Sequence, residues 1–445
     1  MSPTCGLSRA TFRRVIPTGN WSPPKRGSER MLGRSSRRAV HLSVAFGLLA
    51  ATNTLAMARE LPPKIRSAQI DTLSFDKLPG WKDDNHAEAY AAFLMSCRAI
   101  LNGTKAMRKA RPVYGGLFDV CERAKAAGAL DRDKARVFFE HNFKPVRLAQ
   151  PGETQGFFTG YYETEMHGSR VPTAEYSVPL YAAPEATVRK KQSKVFANLD
   201  RTQIEEGALK GKGLEICWVK NPIDAFFAQI QGSTRVKLED GKLLRLNYVA
   251  SNGMKYYPVG RDLVDRGIIA KDDMSMDKIR AWMEANPEEA QALRRKNKSF
   301  VFFTETSLAA HEECIGAQGV PLTPLRSLAV DKKLHVYGTP IWIDAELPIE
   351  SEKPETKFQR LLIAQDTGSA IVGPARADIY FGAGEEIGSI AGRIKQFGNF
   401  VMLVPRTVAT KGNNAPDVPL PKARPKDVIA DAGTGSTAAS AKSRR

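Results

Sequence analysis

Between residues 156 and 404 the chain breaks into short runs of aromatic, β-branched and threonine residues, each closed by glycine or proline. They read as strands, and many short strands in succession argue a closed barrel or a sandwich. The first covers 156–162, just after Pro151-Gly152. Short strands continue over 171–305 with one helical interruption at 276–295, whose apolar positions are Ile279, Trp282, Met283 and Leu293. Asn286-Pro287 breaks that helix in two, because the residue before a proline is pushed out of the helical region. From 320 to 405 strands are expected without helix, at 327–330, 341–343, 361–365, 377–381 and 400–404.

Three helices are expected ahead of this region. Over 84–103, Tyr90, Phe93, Leu94, Cys97 and Leu101 share one face, and Asn102-Gly103 stops the run. Leu117, Val120, Cys121 and Ala124 repeat the spacing in a second. A third, around 131–142, presents Val137 and Phe138, with Phe143 at its end.

With 445 residues and 42% hydrophobic content, two or three domains with real cores are within reach. The formal net charge of +18 invites a nucleic-acid reading, but the charge is concentrated at the ends. Residues 1–58 hold nine Lys/Arg and one acidic residue; residues 406–445 hold eight and three. The 347 residues between carry only +5, with no Lys/Arg stripe interleaved with aromatics. Nucleic-acid binding is therefore not expected, although a mildly basic body suits an anionic polymer. The last forty residues, rich in Ala, Pro, Lys, Gly and Ser, read as a disordered basic tail.

The leader, 1–58, reads as carrying an export signal. Arg34, Arg37 and Arg38 precede an apolar run over 39–51, which ends at Ala56-Met57-Ala58, a small-x-small cleavage site. The run is too short to span a bilayer, which needs about 20 residues. Ser36-Arg37-Arg38 fits an ordinary signal as well as a twin-arginine one, and Met31 is a second candidate start. Four cysteines follow, Cys97, Cys121, Cys217 and Cys314, and an exported protein can pair them in three ways. Cys97 and Cys121, on adjacent helices, are the pair expected. No Cys/His spacing resembles a zinc site, and no histidine is placed to activate a thiol.

Two aspartates carry the chemistry that can be read from residues alone. Asp366 leaves the apolar run Leu361-Leu362-Ile363-Ala364 and enters a turn that Gly368 allows. Asp378 begins the next strand, beside Tyr380 and Phe381, and points into the same region if the two strands meet. Desolvation there raises a carboxylate's pKa, the condition a general acid needs near neutral pH. Each aspartate alone reads as a turn residue satisfied by backbone amides; the pair leaves turn and site both open. His167 and His311 read as surface or capping residues, and Trp218, Trp282 and Trp342 as core.

Three separated stretches carry a family resemblance. Gly156-Phe157-Phe158-Thr159-Gly160-Tyr161-Tyr162-Glu163 looks like the signature of the MltA family of lytic transglycosylases. So does Phe227-Ala228-Gln229-Ile230-Gln231-Gly232-Ser233, followed by Asn252-Gly253 and Tyr256-Tyr257-Pro258-Val259-Gly260. The region 320–382 resembles the 3D domain, named for three aspartates, through Gly338-Thr339-Pro340, Asp344, Asp366-Thr367-Gly368-Ser369-Ala370-Ile371 and Asp378-Ile379-Tyr380-Phe381-Gly382. The resemblance spans about 85–405.

It implies a mainly β fold with N-terminal helices: a double-psi β-barrel domain, with a smaller β domain inserted into it. The barrel would join 59–170 to 306–405 (the 3D domain), with 171–305 as the insert and the glycan in the groove between. It further implies cleavage of the bond from N-acetylmuramic acid to N-acetylglucosamine in peptidoglycan, giving 1,6-anhydro ends. Asp378 would be the single catalytic acid and base, with Asp366 in support and Asp344 as the looser third aspartate. Gly160, Tyr161, Tyr162, Gln231, Gly232 and Ser233 would bind sugar, the aromatic faces packing on pyranose rings. No metal or cofactor is required. The expected partner is the glycan strand, bound by a monomer, with room for proteins of wall synthesis. Family members are often lipoproteins on the outer membrane; without a cysteine at the cleavage point, a periplasmic protein, at most peripheral to that membrane, is expected. A hydrolase on the same barrel and a non-catalytic wall-binding protein are the competing readings.

Overall fold

The computed structural model describes residues 59–60, 65, 68–103, 112–184 and 199–409. The leader and export signal expected at 1–58, and the tail beyond 409, lie outside them. The chain enters through two short strands, β1 (Arg59–Glu60) and β2 (Gln69–Thr72). Three helices follow: α1 (His86–Asn102), α2 (Pro112–Ala127) and α3 (Arg132–Asn142). Asp131 caps α3 by accepting the Lys134 N–H at 2.9 Å. The inward residue of α3 is Phe139, fully buried, whereas Val137 is 53% exposed. The face expected for α3 is thus rotated, because Phe139 completes an aromatic cluster with Tyr90, Phe93 and Phe143. A Cys97–Cys121 disulfide ties α1 to α2, and Cys217 and Cys314 are separate buried thiols.

Strands β3 (Phe143–Ala149), β4 (Gly156–Ser169), β5 (Val178–Tyr181) and β6 (Glu215–Val219) come next. Helix α4 (Pro222–Gln231) precedes β7 (Ser233–Leu238) and β8 (Leu243–Ser251). Helices α5 (Val259–Asp265), α6 (Met276–Ala285) and α7 (Pro287–Lys296) lead to β9 (Val301–Thr306). The last part holds β10 (Ser327–Val330), β11 (Pro340–Leu347), β12 (Thr356–Asp366) and β13 (Arg376–Ala383). It ends with α8 (Glu385–Gly392), β14 (Lys395–Pro405) and β15 (Val408–Ala409).

Two expectations fail here. Residues 171–305 contain α4 and α5 besides the broken helix α6–α7, which does split at Asn286. The signals for α4 were present: Asn221 caps it, Pro222 holds its first turn, and Gly232 closes it at φ 87°. Residues 320–405 contain α8, whose propensity is masked by two glycines that packing demands. A Cβ on Gly388 would lie 2.5 Å from the Tyr162 ring, and one on Gly392 2.7 Å from Met276. Trp342 is core, but Trp218 and Trp282 are only half-buried. The fold also continues past residue 405, since β15 pairs in parallel with β1.

Following the pairings, β14, β11, β12, β10, β13, β4 and back to β14 form a closed ring of six strands. Two of its junctions are parallel, β10 with β12 and β13 with β4. Its interior and the three N-terminal helices share one large core that includes Phe158, Trp342, Leu361 and Val401. Arg326, buried between Asp84 and Glu88, pins the start of α1 to this ring, and Asp84 also accepts the Leu361 N–H. Strand β4 is longer than the expected 156–162 because it serves two sheets. Residues 157–163 pair with β13, whereas 164–168 pair with β7 in a second sheet ordered β5, β6, β4, β7, β8, β9. That sheet has its own core around Cys217, Val236 and Leu246, and α4 to α7 pack around another.

Candidate active site

Side chains alternate across a strand, so β4 sends Phe157, Thr159, Tyr161 and Glu163 to the face opposite the barrel core residue Phe158. Parallel pairing sets Arg376, Asp378 and Tyr380 of β13 beside Phe157, Thr159 and Tyr161. On the other side of β13 lies β10, whose Ala329 is the register partner of both Asp378 and Asp366. The two aspartates thus flank the small side chain of Ala329 at the floor of a cleft.

The cleft has two connected parts, of about 270 and 860 Å³. The smaller is floored by Thr159, Arg376, Asp378, Ala329 and Asp366, and walled by Arg201, Gln229, Tyr256, Asn297 and Ser299. The larger extends along Gln231, Gly232, Ser233, Tyr248 and the 314–319 segment. The walls come from α4 and the second sheet, the floor from the barrel.

Hydrogen bonds distinguish the two carboxylates. Asp366 accepts three: the Ala317 N–H at 2.9 Å, the Thr367 N–H at 2.8 Å and the Tyr161 hydroxyl at 2.9 Å. Asp378 accepts one, from the Thr159 hydroxyl at 2.6 Å. The same Thr159 oxygen accepts Arg376 Nη2 at 2.7 Å, and the guanidinium lies over the Phe157 ring. Each carboxylate opens to the cleft but is otherwise enclosed, and burial pushes both pKa values up. The Arg376 charge and the Thr159 bond pull Asp378 back in part. Three donors favour the ionised form of Asp366, against its burial and the nearby charge of Asp378, which raise its pKa. Of the two, Asp378 has the fewer hydrogen-bond donors to its carboxylate, one against three.

The phenols and the thiol around them hold their protons. Burial, with the charge of Asp366 close by, raises the Tyr161 phenol well above its ordinary value, and burial likewise raises Tyr256 across the cleft. Burial lifts the Cys314 thiol to about 12, which leaves it no thiolate character near neutral pH. Behind the floor, fully buried Glu163 is paired to Arg235 at 2.8 Å and Arg245 at 2.9 Å, where β4 crosses between the sheets.

Of the residues expected to bind sugar, Gly160, Tyr161, Gln231, Gly232 and Ser233 line the cleft. Tyr161 presents its hydroxyl rather than its face, since the ring packs 5.2 Å from Tyr380. Tyr162 does not reach the cleft: its side chain points the other way, against Gly388 of α8. Only its backbone N–H turns to the site, bonding Gln231 Oε1 at 3.1 Å. Asp344 is also apart, on β11, accepting Gln359 Nε2 and Asn399 Nδ2, each at 2.9 Å. Its carboxylate secures neighbouring strands and does not line the cleft. Gly160 is small because a Cβ would meet the Ala391 carbonyl at 2.7 Å. His167 and His311 are exposed and do not line the cleft.

Thr159, Arg376, Arg201, Gln229 and Tyr256 were given no site role from the sequence, although Thr159, Gln229 and Tyr256 lie in the stretches that carry the resemblance. Strand period would have found two of them, since Thr159 lies two residues before Tyr161 and Arg376 two before Asp378. Phe397, 63% exposed, also went unread; it pairs with Phe157 and lies 5.0 Å from its ring, so an aromatic ledge continues from Arg376.

Comparison with known proteins points one way. Residues 157–304 match the MltA specific insert domain and residues 326–404 match the 3D domain. The chain is 30% identical to membrane-bound lytic murein transglycosylase A of Vibrio cholerae over 347 residues, covering 76% of this chain and 88% of that one. The Escherichia coli K12 protein of the same name is 34% identical over 259 residues, covering 58% and 67%. Among solved structures, a membrane-bound lytic murein transglycosylase from Agrobacterium tumefaciens superposes with a TM-score of 0.67 at 34% identity, over 76% of this chain and 98% of that one. Escherichia coli MltA with bound chitohexaose gives 0.57 at 27% identity, over 79% and 96%.

Proposed function

The chain belongs to the MltA family of lytic murein transglycosylases, and from that premise we propose that it cleaves peptidoglycan between N-acetylmuramic acid and N-acetylglucosamine, using Asp378 as acid and then as base. The observation that carries this is the unequal pair on the cleft floor: Asp366 has three donors and Asp378 one.

In the first half-reaction protonated Asp378 gives its proton to the glycosidic oxygen as the C1–O bond breaks, releasing the N-acetylglucosamine hydroxyl. Positive charge grows on the muramic acid ring, and ionised Asp366 stabilises it electrostatically. In the second, the Asp378 carboxylate, steadied by Thr159 and Arg376, takes the proton of the muramic acid C6 hydroxyl. That oxygen then bonds to C1, closing a 1,6-anhydro ring without water. Asp378 ends protonated, ready for another turn.

The sugars would run along both parts of the cleft, with amide groups of Gln229 and Gln231 facing acetamido substituents and Phe157–Phe397 offering a stacking ledge. That a relative, Escherichia coli MltA, was solved with bound chitohexaose supports a glycan as the ligand. The six-strand ring with two parallel junctions favours the double-psi description of the barrel, built from 59–170 and 306–405 around an insert at 171–305. Membrane-bound relatives, together with the arginine-flanked apolar leader, favour action in the periplasm. Among the described residues no helix is long and apolar enough to cross a membrane.

The two carboxylates also leave room for a hydrolase, in which Asp366 would direct a water. Mass spectrometry of digested peptidoglycan separates the two. Anhydromuropeptides support the lytic reaction, and reducing ends alone would refute it. An Asp378→Asn protein that still binds glycan but no longer cleaves it rules out a purely binding role for the wild type.

A further inference from the structure

Behind the Arg201–Gln229 wall lies a second cavity, of about 620 Å³, within the size range of small-ligand pockets. Arg201 and Gln229 line both spaces. The Arg201 guanidinium is fully used: it donates to the Asn297 and Ser299 carbonyls and to Gln229 Oε1, and lies against the rings of Phe226 and Phe300. It is a wall rather than a free cation.

Arg294 is different. It projects from α7 into the same cavity, is only 5% exposed, and its Nε has no hydrogen-bond partner among the described residues. A buried guanidinium donor without an acceptor is costly and rare. Glu205, whose charge also acts on Arg294, is already engaged with Arg295 at 3.3 Å and Arg201 at 3.6 Å. Exposed Lys210 adds a second positive charge at the rim, while Tyr181, Trp218 and Phe226 supply apolar walls. The cavity lining also holds Glu205, Glu215 and Gln291, so its positive charge is local to Arg294 and Lys210, beside the aromatic walls.

We propose that this cavity is a carboxylate-binding peptide pocket, anchored by Arg294, that takes a stem peptide of the murein whose glycan occupies the cleft. The inference rests on the glycan reading of that cleft. Stem peptides join carboxylates to short apolar and amide segments, the combination the chamber presents. A pocket sharing a wall with the cleft would let the enzyme tell peptide-bearing strands from bare ones.

The test uses the full chain and the free murein tetrapeptide L-alanyl-γ-D-glutamyl-meso-diaminopimelyl-D-alanine as probe, by titration calorimetry. Binding is expected in the wild type and unchanged in Asp378→Asn, at least tenfold weaker in Arg294→Met, and weaker in Lys210→Glu, an exposed change that spares folding. In turnover, Arg294→Met should raise KM about tenfold for peptide-bearing murein and leave cleavage of amidase-stripped glycan unchanged. The pocket is refuted if the wild type does not bind the tetrapeptide, if both variants bind it as the wild type does, or if chitohexaose displaces it competitively. Loss of cleavage on stripped glycan by the wild type would instead overturn the glycan reading, and the calorimetry would still decide the pocket.

Discussion

Asp366 and Asp378 stand on the two strands that flank β10, and both are register partners of Ala329. Adjacent strands are about 4.8 Å apart, so the two backbones are separated by roughly 10 Å with only a methyl group between them. Both side chains line the same cleft above that methyl. Their neighbours supply different numbers of donors, three to Asp366 and one to Asp378, while burial raises both pKa values.

Replacing Asp378 by Asn is expected to cut turnover by about a thousandfold or more, the scale of a lost acid–base group, with anhydro-product release as the readout. The same change should affect stability in a defined pH window. Asp378 has a folded pKa raised above its ordinary 3.8, so its folded form resists ionisation. Its contribution is present at low pH and lost as pH rises through the raised value. Thermal melts of the variant should match the wild type below about pH 3.8 and lie above it once that window is passed. A variant that melts lower throughout would contradict the desolvation account.

Arg376 lowers the Asp378 pKa against the larger effect of burial. In Arg376→Gln the descending limb of the pH–rate profile should move to higher pH, because the acid stays protonated longer. The maximal rate should fall as well, since the carboxylate formed in the first step loses its cation. An unmoved limb in a folded variant would show that the guanidinium does not reach Asp378 electrostatically.

Tyr161→Phe removes one of the three donors to Asp366. Its ionised form is then held less well, and the proton is shared less unequally. A loss of about 1 kcal/mol is expected, read as a roughly fivefold lower kcat with KM little changed. A change confined to KM would place the hydroxyl on substrate instead.

Phe397 is exposed, and Phe397→Ala should leave folding stability within about 0.5 kcal/mol. Loss of a stacking contact worth about 1 kcal/mol should raise KM for long glycan strands roughly fivefold, and Phe397→Trp should restore it. Equal KM values for wild type and Phe397→Ala would remove the ledge from the binding path.

The Cys97–Cys121 bond closes a span of 24 residues in sequence between α1 and α2. Loops of that size are worth about 3 kcal/mol in the chain-entropy model. A Cys97→Ala, Cys121→Ala double variant should unfold at correspondingly lower denaturant. Its kcat at low temperature should match the wild type, because neither helix lines the cleft.

The carboxylates were legible in the sequence because a glycine-framed turn and a strand end are local signals. Their relationship was not, since it depends on β10 pairing with strands on both sides, a non-local fact. Asp344 shows the limit of reading a role from a pattern of aspartates: strand register directs it to Gln359 and Asn399. Tyr161 and Tyr162 are adjacent letters with opposite fates, because a strand turns alternate side chains to opposite faces. Helix α4 was readable from Asn221, Pro222 and Gly232, but its aromatic run looks equally like a strand. Helix α8 was not readable, as its glycines answer to Tyr162 and Met276, contacts distant in sequence. The wall residues Arg201 and Gln229 reach the cleft only through tertiary packing.

The passage of β4 through both sheets has a mechanical consequence. One continuous strand passes from the barrel to the second sheet, with a register shift in β13 opposite Tyr162, and Glu163 with its two arginines clamps the crossing. Floor and wall are therefore not plates joined by a slack hinge. They share an axle, and a glycan that forces the cleft wider must twist that axle and strain the strand that carries Thr159 and Tyr161.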